Sequence, residues 1–292
     1  MTDGQPILKT SLLDLLHELR DQPMPLILAG GYGLYLKQVH LQETPSSPTL
    51  IPGELWPAPR ATEDLDVLLR TEVLVDADRM RSIRAALDRL GYLPIPEAKY
   101  MQFVKTFGGG RFVKIDLLTG PLGTFADDPR LRVDDRRVRP RKSVQLHAHR
   151  TDEATGFQEN TLVIPLSGVL SSGEAYEAVA HIPQTFTLLL MKLHAFRDRC
   201  RDAEKDMARH HALDLYRIVA MMTEVEFQQT RQQVERHQGD PVTGEARRIV
   251  TESFSSAESL GSLRLREHPL WDEAMALQAF LSALTDLLRV PV

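Results

Sequence analysis

Two aspartates separated by one leucine, Asp64 and Asp66, break an otherwise apolar segment that runs from Asp64 to Arg70. Successive side chains of a strand point to opposite faces, so this spacing predicts Leu65 and Val67 in a core and both carboxylates on the other face, about 6–7 Å apart. Two like charges held together are unfavourable unless a cation lies between them. Asp64 as a strand cap, with Asp66 paired to an arginine, would also account for the pair alone. Asp116 repeats the pattern in VKIDLL, where Val113, Ile115 and Leu117 take one face and Asp116 the other. Three such carboxylates on one sheet would hold two Mg²⁺ ions roughly 3.5–4 Å apart, an arrangement that clamps attacking and leaving oxygens in phosphoryl transfer.

The rest of the chain frames these strands. Ser11 to Arg20 carries leucines at helical spacing, and Pro23 and Pro25 end that helix. LILAG (26–30) is a short apolar run that meets GYGLYLKQVHL at a Gly30-Gly31 turn, predicting strand, tight turn and helix. Backbone N–H groups at such a turn can cradle a phosphate, although most such junctions are only turns. Thr44 to Arg60, with five prolines, reads as a surface loop. Ala77 to Leu90 reads as a helix stopped by Gly91, and YMQFVKTF and RFVKIDLL form a hairpin through Gly108 to Gly110. Strands are expected around 143–149 and 162–166. Beyond Pro183 helical periodicity takes over, in Thr185 to Arg199, Lys205 to Met222, Glu224 to His237, Pro241 to Ser256 and Trp271 to Arg289. The expected division is a mixed α/β part over 1–180 and a helical part over 181–292.

Within that helical part Lys192 stands out, because the chain has only eight lysines and this one lies in LLLMKLHAF. A lysine among apolar neighbours needs an anion, and Asp214 in HALDLYRI or a nucleotide's phosphates would supply it.

Taken together, AGGYGLYLK, RATEDLD, VKIDLL, LLLMKLHAFRDR and DMARHHALDLYRI occur in the order and spacing of the nucleotidyltransferase superfamily, and they most resemble the AbiEii-type toxins. The resemblance covers most of 26–222. It implies an α+β fold with a polymerase-β-like mixed sheet core and a C-terminal helical bundle. It further implies that Gly30 and Gly31 hold a triphosphate, that Asp64, Asp66 and Asp116 are catalytic and bind two Mg²⁺, and that Asp116 activates the nucleophile. Arg60 and Thr62 would brace the metal strand and serve nucleotide binding, while Lys192 and Asp214 would also be catalytic, Lys192 contacting the β/γ phosphates and Asp214 orienting it or a metal-bound water. The implied reaction moves an NMP from an NTP to an acceptor such as a tRNA 3′ end, in a toxin that a cognate antitoxin restrains. Transfer of an adenylyl group to a small hydroxylated molecule, or nucleotide binding without catalysis, are the alternatives. Many relatives have serine after the first glycine; here Gly31 and Tyr32 follow, which leaves a backbone-only phosphate contact.

Charge bears on the acceptor. The chain of 292 residues has 40 acidic and 35 basic residues, so a polyanion gains no global attraction. Arg130 to Arg150, however, holds eight basic and two acidic residues and would grip RNA, dock an acidic partner or form a solvated strand edge. His147 and His149, and His210 with His211, are read as structural. Cys200 is the only cysteine, which excludes an internal disulfide. With no secretory leader pattern and no apolar stretch near the ~20 residues of a membrane span, a cytoplasmic protein without membrane contact is expected.

Overall fold

The computed structural model describes residues 4–22, 25–44, 48–60 and 62–289, and Pro23 lies outside them. The chain divides into two units: Met1–Leu36 with Arg60–Gln184, and Lys37–Pro59 with Thr185–Val292.

The first unit contains α1 (Gly4–Glu18), β1 (Ile27–Leu28), the start of α2 (Gly30–Glu43), β2 (Asp64–Leu68), α3 (Thr71–Leu74) and α4 (Ala77–Arg89). There follow β3 (Leu93–Pro94), β4 (Gln102–Thr106), β5 (Phe112–Thr119), β6 (Leu131–Asp134), β7 (Arg137–Pro140), β8 (Ala148–Arg150), β9 (Leu162–Val169) and β10 (Ala175–Ile182). All ten strands join one mixed sheet in the order β6-β7-β8-β5-β2-β1-β10-β9, with β4 pairing the first part of β5 and β3 pairing β4. β5 is parallel to β2 and β8, while β1 is antiparallel to β2 and parallel to β10.

Strict alternation along β5 buries Val113, Ile115, Leu117 and Thr119 and leaves Lys114, Asp116 and Leu118 half-buried. β2 does the same with Leu65 and Val67 against Asp64 and Asp66. α1 packs on β2, β5, β9 and β10 and against α4, and its Leu8, Leu12, Leu13 and Leu15 are buried. The hairpin of β4 and β5 is as expected, whereas β6, β7 and β10 were not anticipated, and the expected strands at 143–149 and 162–166 become Ala148–Arg150 and Leu162–Val169.

The second unit is built from α5 (Thr185–Arg199), α6 (Arg209–Ala220), α7 (Glu224–Arg236), α8 (Pro241–Ser253), α9 (Leu260–Arg266) and α10 (Leu277–Leu288). α5 packs on α6, α7 and α8, and α10 on α6, α7 and α8. A capping box of Thr223 and Glu226 opens α7, and Asp240 followed by Pro241 opens α8. Three expectations are corrected here. The helix expected from Lys205 begins at Arg209, because Asp206, Met207 and Ala208 adopt positive φ. The helix expected from Trp271 begins at Leu277, and α9 was unforeseen.

The third correction concerns the proline-rich segment, which is no free surface loop. Its Leu50 and Ile51 N–H groups donate to the carbonyls of Met222 (2.8 Å) and Ala220 (3.3 Å), satisfying acceptors that the end of α6 leaves open. Ile51 is 1 % exposed, and the Tyr216 hydroxyl donates to the Leu55 carbonyl at 3.0 Å. Lys37, in the α2 helix that precedes the segment, meets Glu226 Oε1 at 2.5 Å. Among the described residues no helix is long and apolar enough to cross a membrane.

Candidate active site

The parallel register of β2 and β5 sets Asp66 directly opposite Asp116 and Asp64 opposite Lys114. Alternation puts all four on the half-buried face of the sheet, because the intervening Leu65, Val67, Ile115 and Leu117 are drawn to the core. Gln102 of β4 faces Asp116 on its other side.

A cation does lie between two of these carboxylates, and the chain supplies it. Lys114 Nζ stands 3.5 Å from Asp64 Oδ2 and 3.2 Å from Asp116 Oδ2. Burial alone would lower the Lys114 pKa, but Asp116 and Asp64 outweigh it and hold the ammonium above its ordinary value. Asp116 does not gain symmetrically. Burial raises its pKa most, Lys114 opposes that rise, and Asp64 adds to it, so the carboxyl stays above its usual range. Asp116 Oδ1 is buried without a hydrogen-bond partner. Lys114 was missed by sequence reasoning, although its place two residues before Asp116, in a chain poor in lysine, was a usable signal.

Asp66 is placed by the glycine turn. Gly30 has φ +64°, and a Cβ built on it would stand 1.7 Å from Asp66 Oδ2, so the carboxylate occupies the space that the missing side chain leaves. The Ala29 N–H donates to the Asp66 carbonyl at 2.9 Å, tying the turn to β2. Gly31 is covered by Arg60, whose Nη2 would lie 2.6 Å from a Cβ at that position, with Thr62 just beyond. Thr62 Oγ1 accepts from the Asp64 N–H at 3.4 Å, at the foot of β2. Arg60 and Thr62 thus stand at the junction of the glycine turn and the aspartate strand. The start of a 14-residue helix beside a guanidinium is chemically suited to an anion.

The carboxylates suit a hard divalent cation: the donor set is all oxygen, Asp116 Oδ1 has an unused lone pair, and Lys114 shows the face to accept a positive charge. As they stand, no group of three or more His, Cys, Asp or Glu among the described residues is drawn together closely enough to hold a metal ion.

Lys192 and Asp214 lie in the helical unit and meet each other there, Nζ to Oδ2 at 2.7 Å, both buried. Asp214 Oδ1 also accepts from Arg217 Nη1 at 3.0 Å, and Arg217 Nε donates to Gln38 Oε1 at 2.8 Å. Of the two anions considered for Lys192, Asp214 is the one seen. Arg217, fully buried, was not anticipated.

Much of the charge of the arginine-rich segment is matched within it or beside it. Asp134 receives Arg132, Arg137 and Arg139 at 3.1, 2.8 and 3.0 Å, and hydrogen bonds from Arg139, Arg137 and Arg132 hold its carboxyl well below the usual range. Arg130 pairs with Asp128 and Arg150 with Asp152. Arg136, Arg141 and Lys142 are exposed, with no ion pair among the described residues. The His147 Nδ1–H donates to the Lys99 carbonyl at 2.6 Å, while His210 meets His268 and His211 meets Arg199, so neither histidine pair converges. Cys200 is buried, its thiol donating to the Arg197 carbonyl.

No family model matches the sequence, and no curated protein matches it. Among solved structures, the solution structure of the antibiotic-resistance factor ANT(2'')-Ia matches with a TM-score of 0.36 and 12 % identity, over 82 % of this chain and 99 % of that one.

Proposed function

We propose that the protein is a Mg²⁺-dependent nucleotidyltransferase that moves an NMP from an NTP to a hydroxyl acceptor. The observation that carries this reading is the placement of Asp64, Asp66 and Asp116 on one half-buried sheet face, Asp66 and Asp116 in direct register, beside the Gly30-Gly31 start of α2. Asp64, Asp66 and Asp116 would hold Mg²⁺, which when bound neutralises charge on the transferring phosphates. The α2 N-terminus and Arg60 would take the phosphate chain by charge and backbone N–H groups. Asp116, whose burial raises its affinity for a proton, is suited to accept the proton of the acceptor hydroxyl. Attack of that oxygen on the α-phosphorus breaks the bond to the β-phosphate oxygen and releases pyrophosphate. Lys192 and Asp214 pair with each other in the helical unit, so the proposed reaction rests on the sheet residues.

Two acceptors are in question. A tRNA 3′ end, with a toxin role and an antitoxin partner, rests on the motif resemblance alone. A small hydroxylated molecule is favoured by the arginine-rich segment, where Asp128, Asp134 and Asp152 already engage five of its eight basic residues. The test is incubation with each α-labelled NTP and Mg²⁺, in the presence of total RNA or a panel of aminoglycosides and other polyols. Label is expected in an acceptor with wild type and not with Asp66→Asn; label with neither acceptor class, or equal label from the variant, overturns the proposal.

A further inference from the structure

At the end of β2 opposite to Asp64, the sheet unit encloses a cavity of about 450 Å³ between the end of α1, α3 and α4, and β10. Its size falls within the range of small-molecule sites. Leu16, Leu26, Val73 and Ile83 contribute to walls that are mainly apolar, with Tyr176 on the β10 side. The charged residues of the lining are Arg20, Arg70 and Arg79, and it contains no aspartate or glutamate.

Acidic neighbours outside the lining answer this charge only in part. Arg79 Nε stands 3.2 Å from Asp76 Oδ2, while the other oxygen of Asp76 caps α4 through the N–H groups of Asp78 and Arg79. Arg70 Nε is 3.8 Å from Glu72 Oε2, too far for a hydrogen bond, and is buried with no hydrogen-bond partner. Arg20 donates to the His17 carbonyl at 2.7 Å and contacts the His17 ring, with no carboxylate in ion-pair range among the described residues. His181, on β10, is held below its ordinary pKa by burial and contributes an uncharged ring at neutral pH.

An apolar cavity with guanidinium groups in surplus discriminates by both halves of a ligand. A free phosphate gains nothing from the walls, and a cationic amphiphile meets Arg20 and Arg70 unfavourably. A carboxylate on an apolar body satisfies both, because the planar guanidinium matches the carboxylate fork. We infer that this cavity is a binding site for a small amphipathic carboxylate, an acyl chain or aryl acid seated on the leucine walls with its headgroup at Arg70 and Arg20. The site is separate from the carboxylates of β2 and β5 and does not depend on transferase activity.

Titration calorimetry on the full chain tests this with three probes of one chain length, decanoate, decanol and decyltrimethylammonium, each below its micelle concentration. Decanoate is expected to bind about tenfold more tightly than decanol, the value of a charge-assisted hydrogen bond, with the ammonium weakest. An Arg20→Gln/Arg70→Gln double variant should bring decanoate down to the affinity of decanol and leave decanol unchanged, which distinguishes a lost headgroup contact from a lost fold. Val179→Trp, at a lining position 46 % exposed and so tolerant of a large side chain, should weaken decanoate and decanol alike. Decanoate binding no tighter than decanol, or a double variant that keeps the full preference, overturns the inference.

Discussion

Asp66 Oδ2 fills the place where Gly30 would carry a side chain: a Cβ there would be 1.7 Å away. Gly30→Ala therefore has to pay twice, once for φ +64° in a residue with a side chain, roughly 1–2 kcal/mol, and again to push Asp66 aside. Gly91 has φ +80° and nothing within 4 Å of its Cβ position, so Gly91→Ala bears only the first cost. Denaturant unfolding of the two variants should show Gly30→Ala the more destabilised and alone in losing nucleotide transfer. Equal losses of stability would mean that Asp66 has somewhere else to go.

Lys114→Met removes the cation between Asp64 and Asp116 and leaves the aspartates of β2 and β5 to repel one another. The apparent stability without metal should fall by on the order of 1 kcal/mol, the scale of a partly exposed ion pair. Adding Mg²⁺ should then raise Tm more in the variant than in wild type, as the ion takes over the vacated role. A Tm response to Mg²⁺ no larger than that of wild type would refute the carboxylates as a cation site.

In the helical unit, Asp214→Ala strands both Lys192 and Arg217 without their shared carboxylate, at 0 % side-chain exposure for Arg217. Loss of about 3–5 kcal/mol is expected, because an uncompensated buried charge is left behind. A Lys192→Met/Asp214→Leu pair should recover part of it. If the double change is worse than the single one, Lys192 has another anion to satisfy.

Glu226 contributes acid-side stability to that unit. Burial would raise its pKa, but the Lys37 ammonium, the Thr223 N–H and the Thr185 hydroxyl together hold it below the ordinary glutamate value. A folded-state pKa below the unfolded one means stability that is fully present above the unfolded value and lost as pH falls through the folded one. Glu226→Gln should flatten the Tm profile on the acid side of pH 4–5 while lowering Tm at neutrality. A Tm profile parallel to that of wild type would show that the glutamate titrates alike in both states.

Asp134→Asn frees Arg132, Arg137 and Arg139 at once. If the segment meets RNA, affinity at low salt should rise and the slope of log K against log salt should steepen by about 0.7 for each added phosphate contact. An unchanged slope would remove RNA as the target of those arginines.

β2 and β5 were legible because alternation and chemistry coincide over most of their length: Leu65, Val67, Val113, Ile115 and Leu117 are buried, while Asp64, Asp66, Lys114 and Asp116 are half-buried. β10 hid because AYEAVAHI exposes most of its length, with only Ala180 and Ile182 buried, and alanine gives little contrast between faces. The break at Asp206 to Ala208 hid for another reason, since three residues with side chains take positive φ where glycine would have signalled it. Prolines marked 44–60 as irregular, yet nothing in their identity announces that Leu50 and Ile51 finish the hydrogen bonding of a helix more than 150 residues later. In the candidate site, the aspartates were visible as a pattern, and the scarce Lys114 was a signal two residues from Asp116, but its place opposite Asp64 follows from the parallel register.

The stretch 37–59, the end of α2 and most of the proline-rich segment, also sets an order of events in synthesis. Lys37 and Glu226 are 189 residues apart in sequence, and Gln38 and Arg217 are 179 apart. Everything from Arg60 to Gln184 leaves the ribosome before 37–59 can find its partners, so 37–59, already made, waits for the helices that it joins. Closing so long a span adds little equilibrium cost, since that cost grows only with the logarithm of length, but it delays the step. Until then the polypeptide carries a half-finished bundle, with Lys37 waiting for a glutamate not yet made.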